Sequence, residues 1–311
     1  VTQEFADRLP LARNELDRDG EFRETPDVDP VLRADPEVRF LPLRRAAMLR
    51  NPDGTLRFVR HDRVPADAPV LYLGRAIADA PDAARGTRFA AAFVDDATAA
   101  EIEPDEDAWE NLRMFGTELS PRDAGIAVEA VSMANWHAVH RFSPRTGSPT
   151  TFAKGGWVLR DDAGHELFPR TDPAVIVAVT DRDDRILLGS NAAWEAGRYS
   201  LLAGFVEPGE SLEDAVRREV HEESGVRVEE PEYLGSQPWP FPASLMLGFR
   251  ARALDGDPST IRPDGVEIMD VRWFSREELA AEAGVTLHLP GRTSIARAII
   301  EEWYGSELDV P

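Results

Sequence analysis

With 311 residues the chain has room for two domains and a sizeable core, and its 57 acidic against 35 basic residues leave a formal net charge of −22. That charge disfavours general nucleic-acid binding, and no basic stripe tracks a phosphate backbone, so no DNA partner is expected. The absence of cysteine excludes disulfides and thiolate metal sites, no apolar run reaches the length of a membrane span, and the first residues carry no signal-peptide pattern. A cytoplasmic location with no membrane partner follows as the expectation.

Residues 1 to about 36 are rich in Asp, Glu, Arg and Pro and read as a loosely ordered lead-in with one short helix near Phe5 to Asn14. Val38–Leu49 and Leu56–Arg60 bracket Asn51-Pro-Asp-Gly, a strong turn signal, and predict a hairpin. Strands are expected at 70–73 and 88–94, and a turn or two of helix at 109–115. Ser120 as N-cap and Pro121 at the first helical position open a longer helix to about Phe142. His137 and His140 lie one turn apart on it, a spacing that suits a metal but more often serves a helix end or a neighbouring carboxylate.

Phe142 to Arg170 has the cadence of a zinc ribbon from which the cysteines are gone. Ser143 and Thr146 occupy one C-x-x-C, and the second falls near Arg160 and Ala163. Two small hairpins held by Phe152, Trp157, Leu159, Leu167 and Phe168 are expected, and no zinc. From Asp172 an apolar strand, a turn at 181–184 and a returning strand begin the next domain. The expected class is α+β: an N-terminal mixed α/β domain over residues 1–130 for packing or dimerisation, the ribbon-like segment over 131–171, and a catalytic domain over 172–311.

Chemistry concentrates in Gly204–Val226, G-F-V-E-P-G-E-S-L-E-D-A-V-R-R-E-V-H-E-E-S-G-V. A Pro-Gly turn leads to Ser211 as N-cap, and Gly225 ends the helix. Leu212, Ala215, Val216 and Val220 form its buried face, while Glu219, Glu222 and Glu223 share another at i, i+3, i+4. Like charges so placed repel, and a divalent cation among them removes the penalty; oxygen ligands alone suit Mg²⁺ or Mn²⁺, which commonly bind substrate phosphates as well. By itself E-x-x-E-E also fits a solvated acidic face.

The whole stretch, however, resembles a complete Nudix box. The resemblance implies hydrolysis of a nucleoside diphosphate linked to another moiety, in an α/β/α sandwich whose box glutamates hold metals and activate water while Arg218 orients a glutamate. Downstream, Ser236-Gln-Pro-Trp-Pro-Phe-Pro-Ala-Ser244 has prolines at 238, 240 and 242, which leave a stiff extended loop presenting Trp239 and Phe241, with Gln237 and Ser244 adding polar groups. After a Nudix box this motif resembles the NADH pyrophosphatase subfamily over residues 130–311.

What that resemblance implies is cleavage of NADH or NAD⁺ to a nicotinamide mononucleotide and AMP, extending to NAD caps on RNA 5′ ends, by a homodimer with two or three Mg²⁺ or Mn²⁺ ions per site. The carbonyl of Ala203 with Glu219, Glu222, Glu223 and Glu267 resembles the metal set, with Glu219, Glu222 and Glu223 as catalytic residues. Phe205, Gln237, Pro238, Trp239, Pro240, Phe241, Pro242, Ala243, Ser244 and Ala296 resemble the substrate contacts. Phe168 stands where an aromatic hydroxyl is common. The alternatives are a Nudix pyrophosphatase acting on ADP-ribose or another nucleoside diphosphate derivative, or a non-catalytic dinucleotide-binding protein. The tail is expected to close over the sheet with a helix capped by Ser275 and a final helix capped by Thr293.

Overall fold

The structure, a computed structural model, describes residues 3–254 and 261–310. It divides into two units, one of residues 1–12, 172–238 and 244–311 and the other of residues 13–171 and 239–243. Among the described residues no helix is long and apolar enough to cross a membrane.

The first unit is built on Asp172–Thr180, a strand apolar on both faces because both are covered. It pairs in parallel with Ser244–Ala253 and antiparallel with Leu202–Phe205, in a sheet ordered Val228–Trp239, Ser244–Ala253, Asp172–Thr180, Ile186–Asn191, Ile268–Phe274. Val175, Val177 and Val179 face the helix Leu212–Ser224 through Ala215, Val216 and Val220. The alternate residues Ile176 and Ala178 face the helices Arg276–Glu282 and Ile295–Tyr304. An α/β/α sandwich results, as expected.

Four local expectations are corrected here. The lead-in is not loose: Phe5 and Leu9 are buried in the core beside Ile176 and Ile299, so a few apolar anchors suffice where no periodicity shows. The Pro-rich motif is not all loop, since the strand Val228–Trp239 runs through Pro231 and Pro238 on the sheet's edge, where a missing N–H costs no ladder bond on the solvent side. The final helix is capped by Ser294, whose side chain accepts from the Ala296 N–H, not by Thr293. Gln237 is fully buried and its amide is used internally, Oε1 accepting from the Leu11 N–H at 3.2 Å and Nε2 donating to the Thr293 carbonyl at 3.0 Å.

The second unit holds a six-stranded sheet ordered Leu16–Asp17, Val70–Ala76, Arg88–Val94, Arg39–Arg44, Ala47–Leu49, Trp109–Asn111. The expected strand 38–49 is broken by a turn at Arg45, whose φ is +60°, and the hairpin forms there. Asn51-Pro-Asp-Gly does turn, with the Gly54 N–H bonded to the Asn51 carbonyl at 2.9 Å, but the expected hairpin is reduced to the isolated antiparallel bridges Arg50–Leu56 and Phe40–Val59. Ser120 caps Pro121–Val139, which runs unbroken through the expected domain boundary at 130/131. His137 and His140 are not paired ligands: His137 Nε2 lies 2.8 Å from the Gly156 carbonyl and His140 Nδ1 2.8 Å from that of Trp136.

The ribbon-like segment is one three-stranded antiparallel sheet of Thr151–Ala153, Val158–Arg160 and Glu166–Leu167. Its polar centre is Asp161, not Arg160. The buried Asp161 carboxylate accepts from Ser143 Oγ at 2.8 Å, Thr146 Oγ1 at 3.2 Å and the N–H groups of Ala163 and His165 at 3.1 and 2.8 Å, with His165 Nδ1 at 3.0 Å. Burial alone would raise its pKa, but the bonds from Ser143, the His165 backbone and ring, and Thr146 hold the carboxyl well below the usual carboxylate range. An acid depressed on folding stabilises the fold above its unfolded pKa, about 3.9, and that stabilisation fades as pH drops further. Asp161→Asn is therefore expected to lower Tm at neutral pH, with the gap to wild type closing below about pH 4. Thermal melts across that range measure it, and an equal Tm at neutral pH would remove the hub.

Candidate active site

Local chemistry shapes the box before its carboxylates matter. Ser211 Oγ accepts from the Asp214 N–H at 3.1 Å, and Gly225 ends the helix at φ +72°, a left-handed conformation natural to glycine. Arg218 then ties the box together. Its Nε and Nη2 grip Glu210 at 2.8 Å each, Nη1 reaches Glu219 at 2.9 Å and Glu222 at 3.0 Å, and Nη2 donates to the Phe205 carbonyl at 3.0 Å. This guanidinium holds the Glu210 carboxyl below its ordinary range, which leaves Glu210 an anionic anchor for the turn.

The three helix glutamates are not equivalent. Glu222 lies toward solvent, Glu219 is largely covered, and Glu223 is only 5% exposed. Burial, followed by the charges of Glu219 and Glu267, pushes the Glu223 carboxyl up to about 8, against the pull of a hydrogen bond from the Ala203 backbone. Glu219 is raised too, by burial first, offset by Arg218 and reinforced by Glu222 and Glu267. Strand and helix thus bring Ala203, Glu219, Glu223 and Glu267 into one electrostatic neighbourhood.

Glu267 arrives on an exposed turn that Asp264 organises: Asp264 Oδ1 accepts from the N–H groups of Val266, Glu267 and Ile268 at 2.8–3.0 Å. Asn191 Nδ2 donates to Glu267 Oε1 at 3.3 Å, and the Ala192 N–H to the Glu267 carbonyl at 2.8 Å. Sequence reasoning missed Asp264 and Asn191, although Asp264-Gly265 was a readable turn signal just before Glu267.

Several observations bear on whether these residues suit a divalent cation. The donors are all oxygen, Glu223 Oε2 is buried with no hydrogen-bond partner, and a Cβ at Gly204 would fall on the Glu219 carboxylate, so the bare glycine makes its place. Among the described residues no three His, Cys, Asp or Glu side chains already converge into a finished cage, and Arg218 holds Glu219 and Glu222. An orphaned buried carboxylate oxygen beside coupled carboxylates fits a hard cation.

The expected substrate contacts fall in both units. In the first unit Phe205 is 58% exposed above the box, Pro238 and Ser244 are half-buried at the strand ends, and Ala296 is in the core with its N–H taken by Ser294. Gln237, occupied as above, is a staple within its unit. Trp239 to Ala243 belong to the second unit, where Pro240 is buried, Pro242 exposed and Ala243 half-buried. There Trp239 and Phe241 meet edge to face at 5.0 Å, and the Arg113 guanidinium lies over both rings. Asn135 Nδ2 donates to the Pro240 carbonyl at 2.8 Å. Arg113 and Asn135 had no sequence signal beyond polar residues on helices. Phe168 is largely exposed.

Compared with known proteins, residues 170–291 match the NUDIX domain and residues 30–136 the NADH pyrophosphatase-like rudimentary NUDIX domain. A protein named NAD-capped RNA hydrolase NudC from Mycobacterium bovis is 45% identical over 207 residues, 63% of this chain and 66% of the relative. The NudC of Stutzerimonas stutzeri is 42% identical over 204 residues, 65% of this chain and 70% of the relative. The NAD-capped RNA hydrolase NUDT12 of Macaca fascicularis is 39% identical over 200 residues, 60% of this chain and 43% of the relative. The chain thus spans just under two thirds of the mycobacterial relative. With the box geometry and both domain matches in place, the chain belongs to the Nudix hydrolases, a family that generally uses divalent cations, in the branch with an NADH pyrophosphatase-like N-terminal domain.

Proposed function

We propose that this protein hydrolyses the pyrophosphate of NADH and NAD⁺ to the nicotinamide mononucleotide and AMP, and removes NAD caps from RNA 5′ ends. The observation that carries this reading is the buried, half-unpartnered Glu223 gathered with Glu219 and Glu267 on a complete Nudix box. The relatives' names, which speak of NAD-capped RNA, support the substrate class.

Ala203 through its carbonyl, with Glu219, Glu222, Glu223 and Glu267, would hold two or three Mg²⁺ or Mn²⁺ ions. Bound there, such cations neutralise the pyrophosphate oxygens and acidify water. The chain's own part is to place these carboxylates and to take the proton from the attacking water, at Glu222 or Glu223. Arg218 keeps Glu222 and Glu219 in register with the helix while Glu210 anchors the guanidinium. A homodimer in the cytoplasm completes the reading, and light scattering at the mass of one chain would remove the dimer.

Incubation with NADH and Mg²⁺ or Mn²⁺, with products identified by mass, tests the reaction: NMNH and AMP are expected, and NADH left intact over hours overturns it. The rings of Trp239 and Phe241 are assigned to the nicotinamide. Trp239→Ala is expected to raise KM for NADH by about tenfold, and more than for ADP-ribose, which lacks that ring. Equal effects on both substrates would take the platform away from nicotinamide.

A further inference from the structure

Of the turn from Asn191 to Arg198, only Asn191 and Ala192, which brace Glu267, belong to the site described above, yet the whole turn is built with care. Its start is fastened to the Glu267 segment by the Asn191 side chain and the Ala192 N–H. Its end is fastened to the segment around His288 by an isolated parallel bridge: the His288 N–H donates to the Gly197 carbonyl at 2.7 Å, and the Tyr199 N–H to the His288 carbonyl at 3.1 Å. Gly197, at φ +83°, lies so close to the Thr286 carbonyl that a Cβ would collide with it.

On this doubly fastened turn Trp194 is 38% exposed, and the Arg198 guanidinium lies 5.5 Å from its ring centroid. Both keep part of their surface open to solvent. Large aromatic rings are ordinarily buried, and in a chain so acidic most arginines are expected to find carboxylates. Among the described residues no carboxylate forms an ion pair with Arg198, whereas Arg185, Arg218, Arg250, Arg272 and Arg276 of the same unit are all paired.

A rigid indole face with an unspent guanidinium beside it is the combination that holds single-stranded nucleic acid: the ring stacks on any base, and the cation meets the backbone. The dinucleotide alone gives Arg198 little to do, because its two phosphates are the ones the box carboxylates and their cations receive. A capped RNA carries further phosphates beyond that pyrophosphate, and a protein of net charge −22 can meet them only with local unpaired cations.

We propose that Trp194 and Arg198 form a stacking clamp for the RNA chain beyond the cap, the indole taking a base and the guanidinium the adjoining phosphodiester. The clamp rests on the reading that capped RNA is a substrate, and it makes these two residues determinants of specificity for RNA over the free dinucleotide.

The test pairs binding with turnover. Fluorescence anisotropy with a labelled single-stranded RNA hexamer bearing a 5′-monophosphate is measured for wild type, Trp194→Ala, Trp194→Phe and Arg198→Gln, beside NADH hydrolysis by each. Trp194→Ala is expected to raise the RNA Kd about tenfold, Trp194→Phe to restore most of the loss, and Arg198→Gln to reduce the salt slope by about one. The kcat and KM for NADH stay at wild-type values in all three. RNA binding unchanged by Trp194→Ala overturns the clamp, as does an equal loss on NADH. Because binding is read without turnover, a wild-type protein that cleaves nothing but loses RNA affinity in Trp194→Ala sinks the hydrolase reading and leaves the clamp standing.

Discussion

Glu223→Gln will lower kcat on NADH by about a thousandfold while KM and Tm stay close to wild type. The expectation comes from how differently the two adjacent glutamates are housed. Glu223 points into the unit beside the Ala203 backbone with one carboxylate oxygen without a partner, and it shares its surroundings with Glu219 and Glu267. Glutamine keeps the shape, so the fold has no cavity to absorb and no charge to bury. What disappears is the anionic oxygen that a cation needs and that a proton can reach. Glu222→Gln is expected to abolish turnover as well, although Glu222 is the exposed member and is tied to Arg218. The separating measurement is the Mn²⁺ concentration that half-saturates activity or paramagnetic broadening, which Glu223→Gln raises. Wild-type rates from both variants would end the assignment of this helix as the reaction centre.

Much of the first unit was legible because each of its signals is local. A run apolar at every position from Ala174 to Val179 means a strand covered on both faces, and Ser211 and Gly225 mark the helix ends through the backbone conformations they favour. The errors arise where a residue's partner is distant in sequence. Gln237 read as a group aimed at a ligand, but a fully buried amide must satisfy itself, and its partners are the Leu11 N–H and the Thr293 carbonyl. Phe5 and Leu9 have no periodic neighbours, so nothing nearby announces that they close a core whose other members lie more than 160 residues on. Arg45 breaks a strand by adopting a positive φ that arginine rarely takes, and no residue preference predicts that. In the ribbon-like segment the lost cysteines were visible, whereas the carboxylate that collects Ser143, Thr146 and His165 was not, because an Asp in a turn ordinarily faces solvent. Asp264 and Asn191 escaped notice for the same reason: they act on Glu267, and only the folded turn shows it.

Gly204→Ala is expected to reduce kcat/KM on NADH by about a hundredfold with Tm moved by no more than a few degrees, the reverse of what an added methyl usually does in a packed unit. Gly204 is in a strand paired to Val175, in a backbone conformation alanine adopts freely, so the backbone has no reason to resist. The added Cβ would instead fall on the Glu219 carboxylate, the far end of a flexible side chain, which must swing off Arg218 to make room. That swing carries the Glu219 carboxylate away from Glu223 and Glu267 by about the width of a methyl group, and a displacement of about 1 Å at a reaction centre is enough for a hundredfold loss. Gly225→Ala supplies the contrast. Its φ of +72° strains any L residue, while the nearby carboxylates keep their places, so Tm falls and kcat holds. If Gly204→Ala instead unfolds the protein and leaves residual folded enzyme at full specific activity, the glycine serves packing and the carboxylate of Glu219 is not where turnover needs it.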